Sequence, residues 1–87
     1  MANKIIQRTK PIQVGANTTV SFDGSGVDGF IPYTDGTVTI TTALGLVIVN
    51  AVPVTAGVPI PLPFLLPDGS QGGTVTTAGG ASGILCV

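Results

Sequence analysis

Residues 35–67 read DGTVTITTALGLVIVNAVPVTAGVPIPLPFLLP, and positions 36–67 carry no charged side chain. Asp35-Gly36 is a tight-turn dipeptide, and from Thr37 to Thr42 the apolar residues Val38 and Ile40 alternate with threonine. Period-two alternation of β-branched residues predicts a half-buried strand. Leu46 to Asn50 is a continuous apolar run, the pattern of a strand covered on both faces. Prolines at 53, 59, 61, 63 and 67 give the next segment a different character. Each lacks an N–H and would clash with the preceding turn of a helix, so Val52 to Pro67 is neither a helix interior nor a central strand. It reads as an extended, polyproline-like edge whose alternate side chains Val58, Ile60, Leu62 and Phe64 face one way.

The same pattern extends outward in both directions. Thr18 to Phe22 alternates, with Val20 and Phe22 on one face, and the glycine-rich DGSGVDG at 23–29 reads as a loop. Phe30 to Tyr33 is a short strand interrupted by Pro32. Ala56-Gly57 and Pro67-Asp68-Gly69 are turns, Thr74 to Thr77 is a strand, Gly79-Gly80 is a break and Ser82 to Val87 is a closing strand. Short strands at about ten-residue spacing, without an amphipathic helical period, predict an all-β fold. We expect a small antiparallel β-sandwich or jelly-roll-like domain over residues 15–87, preceded by an extended N-terminal arm over residues 1–14. The arm's apolar residues Ile5, Ile6, Ile12 and Val14 fit neither helical nor strand period.

Eighty-seven residues make one domain. With 8% charged residues and a net charge of −1, the surface lacks the charge that keeps free monomers apart, so assembly is expected to supply part of the burial. Val58, Ile60, Leu62 and Phe64 are the expected subunit or partner interface. Charge is also segregated: Lys4, Arg8 and Lys10 fall in the first ten positions, and Asp23, Asp28, Asp35 and Asp68 come later. Three cations without an aromatic neighbour, in a chain of pI about 4.6, argue against nucleic acid. Two readings of the arm stand, docking on an acidic protein surface through Lys4, Arg8 and Lys10, or plain solvation. The apolar stretch from Ala43 to Val49 is far short of the roughly 20 residues of a membrane-spanning helix. MANKIIQRTKPIQV has no apolar core of a signal peptide, so synthesis in the cytoplasm is expected.

Chemistry fails on inventory. GSGVDG at 24–29 matches the dinucleotide fingerprint, but Phe30-Ile31-Pro32 stands where a helix would have to begin, so no cofactor is expected. Asp23 and Asp28 lack the further oxygen ligands of a calcium loop and read as turn residues, leaving no metal site. There is no histidine or glutamate to serve a serine as base, and Ile84 stands where a nucleophile elbow ending Ser82-Gly83 would need glycine. No enzyme activity and no small-molecule substrate are expected. Cys86 is the only cysteine, which excludes an internal disulfide, and it reads as a buried, inert thiol. Asn17-Thr18-Thr19 matches a glycosylation sequon, but without a secretion signal it reads as an ordinary turn into a strand.

The short polar arm, TVTITT at 37–42, VTAGVPIPLPF at 54–64 and GGASGILCV at 79–87 together resemble the small all-β virion proteins of tailed bacteriophages, especially capsid decoration or cement proteins. The resemblance covers most of the chain and lies in style rather than in an aligned motif, so it carries over no residue role. It implies a structural protein that forms a homo-oligomer, commonly a trimer, on the capsid surface of the virion, binds the major capsid protein and stabilises the shell. A tail or neck structural component and a receptor- or glycan-binding module are the alternatives. The absence of tryptophan, and Tyr33 as the single tyrosine, weigh against a glycan platform.

Overall fold

The computed structural model describes residues 11–87, apart from the side chains of Pro63 and Phe64. Its elements are eight strands: β1 (Pro11–Val14), β2 (Thr19–Phe22), β3 (Gly26–Thr34), β4 (Gly36–Thr42), β5 (Val47–Val54), β6 (Ile60–Leu65), β7 (Gly73–Ala78) and β8 (Ser82–Cys86). They form two antiparallel four-stranded sheets, ordered β1-β8-β3-β6 and β2-β7-β4-β5. The all-β, antiparallel expectation is borne out. Four pairings nest inside one another, β4 with β5, β3 with β6, β2 with β7 and β1 with β8, as in one long hairpin turned at residues 43–46. The β3–β8 and β4–β7 ladders then roll this hairpin into its two sheets.

Because every pairing is antiparallel, the connections alternate between two ends, and polar bonds tie each end together. At the first end Asn17 Oδ1 accepts the Gly80 N–H (3.1 Å), Thr34 Oγ1 donates to Gly80 O (2.6 Å) and Asp35 Oδ1 accepts the Ala56 N–H (2.7 Å). At the second end the Leu66 N–H donates to Ser25 O (2.8 Å), the Ala43 N–H to Gly72 O (3.0 Å) and the Leu44 N–H to Ser70 Oγ (3.2 Å).

Between the sheets lies one apolar cluster. Val14, Val27, Phe30, Leu62 and Leu85 enter it from one sheet, and Phe22, Val38, Ile40, Val54 and Val75 from the other. Full burial of one such side chain contributes about 1.5–3 kcal/mol. Val38 and Ile40 turn inward while Thr37, Thr39 and Thr41 stay half-exposed, as the alternation in β4 predicts. The outer threonines are paired across strands: Thr19 and Thr76 lie opposite each other with their hydroxyls 2.9 Å apart.

Four boundaries differ from the sequence reading. Residues 26–29 are strand rather than loop, and Gly29 serves close backbone approach: a Cβ there would lie 2.8 Å from Ile60 O. A bulge between Val27 and Gly29 absorbs the irregularity. Pro32 does not interrupt β3. Its carbonyl accepts the Gly57 N–H (2.9 Å) on the side where β6 pairing has already ended, and its missing N–H faces the same way, so β8 loses nothing. The run from Leu46 to Asn50 is not a covered strand: Leu46 ends the β4–β5 turn and the rest lies on β5, an edge strand, with Leu46 45% and Val47 48% exposed. An apolar run has the same appearance at an edge as in the middle of a sheet. Finally, residues 11–14 of the expected extended arm form β1, paired with β8, and its Val14 is buried.

Candidate interaction surface

The expected interface divides. Val58 is exposed, in the connection between β5 and β6. Ile60 is half-buried and packs against the core, and Leu62 is a core residue, 8% exposed. These two are spent inside the domain, so an interface reading does not hold for Leu62: alternation along β6 turns Ile60 and Leu62 inward and leaves Pro61 and Leu65 outside. The side chain of Phe64 and the whole of Lys4, Arg8 and Lys10 lie outside the described residues.

Other apolar side chains take the exposed positions. Leu65 is 78% and Leu44 74% exposed, joined by Leu46 and Val47. They belong to the β4–β5 turn and to the strand ends beside it, where the Ala43 and Leu44 N–H groups bond the β6–β7 connection. The sequence carries a signal for them: Leu44-Gly45-Leu46 places leucines on both sides of a turn glycine whose φ is +100°. A turn at the end of a hairpin has nothing above it to cover such residues.

The edge strands differ in what they offer. β6 pairs only with β3, and Pro61 and Pro63 remove two of its N–H groups, so it is a poor template for another strand. Association through this side therefore has to use side-chain faces. On the outer face of the β1-β8-β3-β6 sheet is a shallow depression of about 320 Å³ bordered by Asp28, Ile31, Pro59, Pro61 and Cys86. Cys86 is half-exposed there, not fully buried as the sequence suggests, because it takes the outward position after the inward Leu85.

Polar groups at the second end are occupied structurally. Asp68 accepts the Thr42 hydroxyl on Oδ2 (2.5 Å) and the Ser70 N–H on Oδ1 (3.1 Å). The Thr42 hydroxyl first, and then the Ser70 groups, hold its carboxyl below the usual carboxylate range, against a smaller opposing effect of burial. The other aspartate with a clear task, Asp35, caps a turn. Among the described residues no three histidine, cysteine, aspartate or glutamate side chains gather as a metal site would need, and no helix is long and apolar enough to cross a membrane. What the described surface offers is apolar contact area with few charges.

No family model matches the chain, and no curated protein or solved structure matches it.

Proposed function

We propose that the chain is a structural protein of a bacteriophage virion, of the capsid decoration or cement type, acting by adhesion. The observation that supports this most is the strand order. An eight-stranded nested hairpin rolled into β1-β8-β3-β6 and β2-β7-β4-β5 is what we read as a jelly roll, an architecture recurrent in viral capsid domains. The exposed leucines of the β4–β5 turn and β6 supply contact area for a homo-oligomer, and the basic residues Lys4, Arg8 and Lys10 supply a complementary charge for the major capsid protein. Many weak copies on a repeating shell bind tightly through multivalency.

Quantitative mass spectrometry of purified particles tests the reading. Hundreds of copies per particle are expected for a shell protein; a handful moves it to the neck or tail, and absence from particles overturns it. For the oligomer, Leu65→Asp is expected to lower the sedimenting mass while preserving the β-rich circular dichroism. An unchanged mass removes Leu65 from the interface. Jelly rolls also serve as lectins, and Tyr33, 53% exposed, is the feature that favours that second reading. Binding on a glycan array that is lost in Tyr33→Ala would establish it.

A further inference from the structure

The second end of the sandwich carries a braced apolar projection. Leu44 and Leu46 stand exposed on the β4–β5 turn and Val47 on the first residue of β5, with Leu65 at the close of β6. All five N–H groups of residues 42–46 are bonded within the domain. Those of Thr42 and Gly45 close the turn on Leu46 O and Thr42 O, that of Leu46 reaches Thr42 Oγ1, and those of Ala43 and Leu44 reach Gly72 O and Ser70 Oγ. Taking water from this turn therefore leaves no donor unpaired. The bonds to residues 70 and 72 also fix the turn in place, so little ordering remains to be done when it meets a partner.

The depression on the outer face of the β1-β8-β3-β6 sheet is a hollow of matching character. Ile31, Pro59, Pro61 and Cys86 form its wall, and its volume is about 320 Å³. A leucine side chain has four carbons, and at about 30 Å³ each, the share of one water molecule, it fills about 120 Å³. The hollow thus accepts two leucines. It does not accept those of its own turn, which is bonded to residues 68–72 beyond Leu65, itself four residues and about 13 Å along β6 from Pro61. Projection and hollow can meet only between copies.

Charge and size favour a second copy in a particular arrangement. Residues 11–87 hold four aspartates and no cation, so two copies repel wherever their charged faces approach. The turn belongs to the charge-free span 36–67, as do Pro59 and Pro61, and Asp28 is the one charged residue bordering the hollow. Two turns set tip to tip would bury only Leu44, Leu46, Val47 and Leu65 from each copy, against the roughly 20–30 residues a side of a stable interface. A projection in a hollow is a heterologous contact instead, and each copy of a closed ring then makes two contacts, one with each surface. We propose that Leu44 and Leu46 of one copy seat in the hollow walled by Ile31, Pro59, Pro61 and Cys86 of the next, joining copies head to tail. The contact rests on the homo-oligomer reading and not on the virion.

Complementation between two variants of the full chain, followed by sedimentation, tests the contact. Leu44→Asp/Leu46→Asp removes the projection and keeps the hollow, and Ile31→Asp does the reverse. Each alone is expected to lose the parent's assembled mass and run as a monomer. Their equimolar mixture is expected to form a pair with one chain of each, because one intact projection then faces one intact hollow. Circular dichroism checks that both are folded, and Cys86, the only thiol and part of the hollow's wall, carries the test if either is not. In the parent, N-ethylmaleimide is expected to modify Cys86 about tenfold more slowly at assembling concentration than after dilution, the response when the assembled form outweighs the free one by that ratio. A parent that is monomeric at every concentration overturns the contact together with the oligomer reading. A parent that assembles, with a folded Ile31→Asp variant of the same mass, overturns the contact alone, and so does a mixture that stays monomeric. Protection of Cys86 that persists on dilution also overturns it, because the cover then belongs to the same chain.

Discussion

Thr77 joins two distant parts of the chain with one hydroxyl. Only 2% exposed, it donates to Gly15 O (2.6 Å) and accepts the Thr18 N–H (3.1 Å), fixing the β1–β2 corner to β7. Thr77→Val preserves the shape and leaves both backbone groups without that partner, which costs about 1–3 kcal/mol. Urea unfolding is expected to show a lower midpoint at unchanged slope, with Thr77→Ser retaining more of the stability. Asp68 gives a second residue-level expectation, in which pH is the variable. Its folded pKa lies below the unfolded value near 3.8, so its contribution is complete above that value and is lost as pH falls through the folded pKa. Asp68→Asn is therefore expected to lower stability at neutral pH and to flatten the acid limb below about pH 4, read from denaturation midpoints across a pH series. If the acid limb keeps its steepness in the variant, the Thr42 and Ser70 bonds do not bias the folded state as described.

At the scale of elements, β6 combines an inward face that stabilises the domain with an edge that discourages extension. Replacing Pro61 and Pro63 together with threonine restores two N–H donors and raises strand propensity. Light scattering is expected to show concentration-dependent growth of that variant, since an unblocked edge strand pairs readily with another copy. A variant that stays at the parent's mass would mean that the prolines do not guard this edge. The same elements show what the sequence makes legible and where it stops. Strand β4 is readable from Val38 and Ile40 alone, because alternation reports which face is buried. β6 is readable as an edge from its prolines, because a missing N–H is a local property of the residue. The inward turn of Leu62 and the outward turn of Leu65 are not readable there, since every position of that segment is apolar and no polar residue marks the outside. β5 fails for the same reason, and residues 26–29 fail because glycine signals both a loop and a close strand crossing. The leucines flanking Gly45 are visible as residues but not as a surface, because their exposure depends on nothing covering the end of the β4–β5 hairpin.

Over the whole molecule, the nested pairing orders the chain by loop length. β4 and β5 meet across a short turn, β3 and β6 enclose that hairpin, and β1 meets β8 only when nearly the whole described chain has been gathered. The entropy of closing a loop grows with its length, so the outermost pair gains least until the inner ones have formed. Folding on the slow, non-local side of the range is expected, with β4–β5 the part formed earliest. Ile40 and Leu85 separate these stages well, both being 0% exposed in the same core but at opposite ends of the nesting. Ile40 lies opposite Val49 inside the first hairpin, and Leu85 lies opposite Ile12 in the last ladder to close and opposite Phe30 in the β3–β8 ladder. Either residue changed to alanine costs about 2–5 kcal/mol at equilibrium, large enough for reliable kinetics. In stopped-flow chevrons, Ile40→Ala is expected to act mainly by slowing folding and Leu85→Ala mainly by speeding unfolding. The reverse assignment would mean that the two sheets collapse on each other before the central hairpin is set, and that the nesting does not dictate the order of assembly.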